Sequence, residues 1–237
     1  MKTSAKKLFF LAILLVASIW ILTACGNGDS STSPSSVAPA ETKAADEKGV
    51  VSSLISKGKR IREISYNLVI TSAGLSSESR VWFKDTKMKT DSIFNGQRAI
   101  SIFDLEKGEI ISYIPGDNMA TKEKIEEYQG EDNVTPMDYL LQLNDTNYQI
   151  TGTETVNKMN CKVITFTLNQ GKYKEWLSTE YGIVVKFQQG LNGQMTTSEY
   201  KDIKVGAGSV PDGTFNLPQG IQVIDLNNIM NNLQPNK

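Results

Sequence analysis

Two cysteines, Cys25 and Cys161, are the only thiols of this 237-residue chain, and histidine is absent altogether. Without an imidazole there is no Ser-His-Asp or Cys-His nucleophile system, and most zinc sites lose their usual ligand. The sequence also lacks a Gly-rich phosphate loop and a Gly-x-Ser-x-Gly elbow. Any two of its 26 acidic residues could form a carboxylate pair, but no spacing selects one. Glu131-Asp132-Asn133 and Asn144-Asp145-Thr146-Asn147 have oxygen ligands without the loop spacing of a calcium site, and they read as polar turns. The expectation is a protein that is not an enzyme and that has no cofactor and no metal. Cys161, within the strand-like run Cys161-Lys162-Val163-Ile164-Thr165-Phe166, reads as a small buried apolar residue.

Cys25 has a different setting. Lys2, Lys6 and Lys7 precede an apolar run of about 15 residues, Leu8 to Leu22, and Leu22-Thr23-Ala24 leads directly into the cysteine. The run is short of the roughly 20 residues that span a bilayer. The four residues resemble the bacterial lipobox, which implies cleavage before Cys25, diacylglycerol attachment to its sulfur and anchoring by acyl chains. Residues 1–24 then form a signal peptide. Residues 25–47 are rich in Ser, Pro, Ala and Thr and poor in large apolar side chains, the composition of a flexible tether. Residues 48–237 remain for a single domain. Losing the three leader lysines takes the net charge from −1 to −4. So mild an acidity supplies no basic stripe for a nucleic-acid backbone.

The domain must be built mainly of strands. Ile64, Tyr66, Leu68 and Ile70 alternate with polar residues at the period of two that buries one face of a strand. Further strands are expected near 79–84, 87–94, 98–104, 109–114, 148–153, 162–168, 173–178, 183–189 and 196–203. Turn residues separate several of them, notably Ala73-Gly74, Asn95-Gly96 and Asn192-Gly193. So many short strands predict one large antiparallel sheet, curled or closed. Helices are few. Val50, Val51, Leu54 and Ile55 form an apolar stripe that Gly58 can end, Thr135-Pro136-Met137-Asp138 has the makings of a helix start, and Asp225 caps a terminal turn. Met119–Tyr128 fits either a helix or an edge strand.

Several strands are apolar on both faces, with Val81-Trp82-Phe83, Ile110-Ile111 and Ile183-Val184-Val185 as consecutive runs. The concave side of such a sheet has to be covered by helices or by a ligand. The order of parts from Val50 to Leu226, ending in Val210-Pro211-Asp212-Gly213-Thr214-Phe215-Asn216-Leu217-Pro218-Gln219-Gly220, resembles the LolA/LolB-like lipoprotein-carrier superfamily. The resemblance implies a mainly β (α+β) fold, a half-open antiparallel barrel whose concave face is plugged by a few helices and holds acyl chains. The expected ligand site is then an apolar cavity walled by Tyr66, Leu68 and Ile70, with Trp82 or Phe83 on the next strand, and closed by the helix carrying Met137, Leu140 and Leu141. Leu75, in the turn after the first strand, is the expected membrane contact. The function so implied is a carrier or binding protein for acyl chains of a lipid or lipoprotein. It would be held through Cys25 on the extracytoplasmic face of the cell membrane, or in an outer membrane. The alternative is a protein-interaction module that regulates an envelope enzyme or signalling protein without bound lipid.

Overall fold

The computed structural model describes residues 41–94, 96–124, 135–137, 147–168 and 170–228. Helix α1 (Glu41–Gly58) precedes twelve strands: β1 (Glu63–Ser72), β2 (Leu75–Lys84), β3 (Lys87–Phe94), β4 (Gln97–Asp104), β5 (Glu109–Tyr113), β6 (Met119–Lys124), β7 (Gln149–Val156), β8 (Met159–Leu168), β9 (Gly171–Ser178), β10 (Val184–Leu191), β11 (Gln194–Val205) and β12 (Gln222–Asp225). All twelve belong to one sheet, in the order β12-β6-β5-β4-β3-β2-β1-β11-β10-β9-β8-β7. Every described pairing is antiparallel except that of β12 with β6. With β12 and β7 at its two ends the sheet is curved but not closed, the LolA-like half-open barrel.

Tight turns set the register. Ala73 and Gly74 have φ of 50° and 79°, and Asn192 and Gly193 have 51° and 77°. Two consecutive positive φ values give the turn whose twist matches that of the flanking strands. The β7–β8 hairpin does the same with Asn157 and Lys158, at 49° and 68°, although Lys158 has no glycine-like freedom. Met119–Lys124 is a strand, and residues 125–134 lie outside the described residues. So does the helix expected after Thr135-Pro136-Met137, of which those three residues form a turn. Helix α1 runs back to Glu41, inside the stretch read as tether, through the strong helix formers Lys43, Ala44, Ala45, Glu47 and Lys48.

Two layers cover the sheet. On one side Val51 and Ile55 of α1 pack into Ile164, Phe166, Leu177, Val184 and Phe187. Gly182 permits this approach, because a Cβ there would lie 2.0 Å from the Leu54 carbonyl oxygen. On the other side the chain after β11 crosses β4–β6, where Phe215, Leu217 and Ile221 pack on Ile100, Ile102, Tyr113 and Ala120. Glu63 fixes the start of that crossing by accepting hydrogen bonds from the backbone N–H groups of Gly208 (3.0 Å) and Val210 (2.9 Å). Those bonds, the one from Val210 foremost, hold its carboxyl below the usual range. The Phe-x-Leu-Pro segment is therefore a strap on the outer face. It explains why Ile111 can be apolar on the outer face, while its buried neighbour Ile110 lies on the other face, opposite Phe103.

Candidate ligand-binding interior

Residues directly opposite one another in paired strands share a face. One row across the sheet reads Ser77, Ile70, Ser198, Phe187, Glu175 and Ile164. Phe187 and Ile164 touch α1, so this is the concave, helix-bearing face. Leu68 and Tyr66 lie on the same side of β1, opposite Ser79 and Val81, and Phe83 faces Ile64 and Met88. Trp82 points the other way. It is paired with Ser65 and Lys89, on the outer face, with the Arg80 guanidinium 5.5 Å and the Lys89 ammonium 5.8 Å from its ring. Of the two aromatic residues expected on this wall, Phe83 stands beside Tyr66 and Trp82 does not.

Tyr66 is fully buried and meets Tyr200 edge-to-face, ring centroids 5.2 Å apart. Ile64, Val81 and Met88 belong to the same cluster, as do Cys161, Val163, Trp176, Ile183 and Val185, with Leu68, Phe83, Phe103 and Met137 packed against it. Met137 also touches the α1 cluster, and the Pro136 carbonyl accepts from the Val184 N–H at 3.4 Å, which ties the turn to β10. Leu140 and Leu141 lie outside the described residues, as does Cys25. Along β1 the cover thins: Glu63 to Tyr66 are buried, whereas Leu68 and Ile70 are half-buried. Leu75, just past the turn, is 60% exposed.

Two open hollows lie at the ends of the sheet. One of about 320 Å³ lies between the β5–β6 loop and residues 218–221, and one of about 380 Å³ between the β7–β8 turn and the end of β11. Neither is walled by Tyr66, Leu68 or Ile70.

Sequence reasoning missed Glu175. Its side chain is fully buried in the row between Phe187 and Ile164, and neither carboxyl oxygen has a hydrogen-bond partner. Burial pushes its pKa up to about 8, so the group is a neutral acid at pH 7. The apolar residue at every second position of β9, Tyr173 and Leu177, is the signal that assigns Glu175 to the covered face. Cys161 is buried too, its thiol donating to the Met159 carbonyl at 3.4 Å, and burial raises its pKa to about 11. It is held as an unreactive thiol. No group of three or more His, Cys, Asp or Glu among the described residues could hold a metal ion.

A half-open, strongly curved antiparallel sheet with a helix on its concave side defines the LolA-like class of fold. No family model and no curated protein sequence matches the chain. Solved structures do. An uncharacterised conserved protein of Thermus thermophilus superposes with a TM-score of 0.50 at 7% identity, over 76% of this chain and 99% of that one. MucB superposes with a TM-score of 0.50 at 14% identity, over 79% of this chain and 67% of that one. MucB is also solved as the MucA/MucB complex of Pseudomonas aeruginosa. The Mycobacterium tuberculosis lipoprotein LppX gives 0.42 at 14% identity, over 65% of this chain and 94% of that one. At such identities the likeness is one of fold.

Proposed function

We propose that this chain is a membrane-tethered lipoprotein, acylated at Cys25, whose LolA-like domain binds an acyl chain of a lipid or lipoprotein along its concave face. The observation that carries the reading is the apolar track on β1, closed at Ile64 and Tyr66 and half-open at Leu68 and Ile70. An acyl chain laid on Leu68 and Ile70 would extend burial that the fold leaves incomplete. Each methylene removed from water contributes about 0.8 kcal/mol, so six or seven give roughly 5 kcal/mol before ordering costs. Longer penetration would require the segment around Met137 to move, since Tyr66, Val81, Met88 and Tyr200 are already packed.

That packing favours a second reading, in which the domain is an interaction module of the envelope with no lipid inside. MucB, which shares the fold, is solved in complex with MucA. A fluorescent C16 fatty-acyl probe separates the two. In the carrier reading the full chain binds the probe with micromolar affinity, and Leu68→Asp weakens binding at least tenfold while leaving the circular dichroism spectrum unchanged. A folded wild-type chain that takes up no probe sinks the carrier reading and leaves the interaction module.

A further inference from the structure

The strands alternate in direction, so their connections gather at two ends of the sheet, and the two ends differ in chemistry. One end holds the turns β2–β3, β4–β5, β7–β8 and β9–β10, and its loops are densely charged, as in Lys84-Asp85-Thr86-Lys87 and Asp104-Leu105-Glu106-Lys107-Gly108-Glu109, with Leu105 (40%) the one large exposed apolar side chain there among the described residues. The other end holds the connections β1–β2, β3–β4, β5–β6, β8–β9 and β10–β11. Each of these five carries a large exposed apolar side chain: Leu75 (60%), Ile93 (60%), Met119 (52%), Leu168 (36%), and Leu191 with Met195 (42% and 55%). These residues come from both faces of the sheet, so the pattern follows the end and not a face: Leu75 is opposite Ser72 on the concave side, Ile93 opposite Glu78 on the outer side.

Helix α1 is oriented toward the same end. Its last turn lies at Gly182, at the charged end, while the Lys48 ammonium sits 5.9 Å from the ring of Tyr148, near the end where β8 meets β9. The chain therefore enters the domain from the apolar end. Fifteen residues, 26–40, separate Cys25 from Glu41, a reach of roughly 50 Å at full extension.

We propose that the domain docks end-on against the lipid leaflet holding its anchor, with the apolar tips of these five connections entering the boundary between headgroups and acyl chains. The proposal rests on the tether reading above. The partner is a bilayer surface: the side chains are single apolar tips spread along a rim, as suits a plane of uniform depth, and they are not gathered into the compact patch that a protein partner would desolvate. The charges beside the tips are Glu78 and Arg98 flanking Ile93, Asp117 in the β5–β6 connection and Lys172 after the β8–β9 turn; the two acids balance the two bases, so zwitterionic lipid suffices and salt has little effect.

The test uses the full chain with a polarity-sensitive dye on Ser76→Cys, beside Leu75, or on Thr86→Cys at the charged end, added to phosphatidylcholine vesicles. Docking predicts a blue shift of the Ser76 dye and none of the Thr86 dye, unchanged at 0.5 M salt. Leu75→Glu with Met195→Glu should abolish the shift without lowering the melting temperature. The same pair of dyes on a Cys25→Ala background reports the tips without the anchor. Vesicle binding with no shift at Ser76, or equal shifts at both sites, overturns the docking proposal while leaving the tether standing. A tip shift together with membrane binding that Cys25→Ala does not alter supports docking and refutes the tether.

Discussion

Replacing Glu175 by glutamine keeps the shape of a side chain that is fully buried with both oxygens unpartnered, and removes its proton equilibrium. In the folded chain the acid stays protonated up to about pH 8, against an ordinary value of 4.5. Between those limits the unfolded chain has lost a proton that the folded chain keeps, so stability is fully present below pH 4.5 and is lost as pH rises toward 8. The slope is about 1.4 kcal/mol per pH unit, which puts the accumulated loss at pH 7 at about 3 kcal/mol. For a domain of this size 1 kcal/mol moves the midpoint by about 2–4 °C, so the loss corresponds to roughly 6–12 °C. Other carboxylates change over the same range, but they are common to both proteins and cancel in the difference. The unpaired amide of Glu175→Gln adds a cost of about 1–3 kcal/mol that does not depend on pH. The readout is therefore the slope: thermal unfolding followed by circular dichroism at pH 5, 6, 7 and 8 should show the variant gaining on the wild type at each step. Parallel pH profiles would refute the reasoning, because they would mean that Glu175 is ionised in the folded state.

The remaining expectations are equally direct. Cys25→Ala should leave the leader unprocessed and the chain without its acyl anchor, and a variant that is both equally processed and equally membrane-bound would defeat the lipoprotein reading. Deleting Ser30 to Ala40 should leave the melting temperature unchanged, since those residues offer almost no apolar surface to a core, and a clear fall would show that they pack. Gly182→Ala should lower the melting temperature by several degrees, because its Cβ would meet the Leu54 carbonyl at 2.0 Å and its φ of +71° disfavours a side chain; an unchanged midpoint would mean that α1 is not held there. Phe215→Ala should cost about 2–4 kcal/mol in urea unfolding by uncovering Ile102 and Tyr113, and a near-neutral result would deny the strap its part in the core.

Much of this architecture can be read from local pattern. The alternation from Ile64 to Ile70, the Asn192-Gly193 turn and the stripe Val51, Leu54, Ile55 act over a few residues, and each appears where its spacing requires. The Asn157-Lys158 turn was hidden because lysine seldom takes a φ of 68°, so that hairpin read as a gap between two strands. Asp225 caps as expected, its Oδ1 accepting from the Asn227 N–H at 3.0 Å. The strand before it, Gln222–Asp225, has no sequence signature of its own, since a four-residue parallel edge exists only once β6 is beside it.

By itself the sequence determines that the domain is a many-stranded antiparallel sheet with a leading helix and no histidine chemistry, because strand period, turn type and composition are local properties. It assigns residues to two alternating sets but does not say what covers each. In Val81-Trp82-Phe83 both sets are apolar, and only the tertiary structure decides that Phe83 joins Tyr66 on the concave side while Trp82 lies outside between Arg80 and Lys89. The burial of Glu175 and the contrast between a charged and an apolar end are likewise sums over distant strands. Each needs the register of residues more than a hundred positions apart, such as Ile70 with Ser198, and long-range pairing of that kind is written in no short window of sequence.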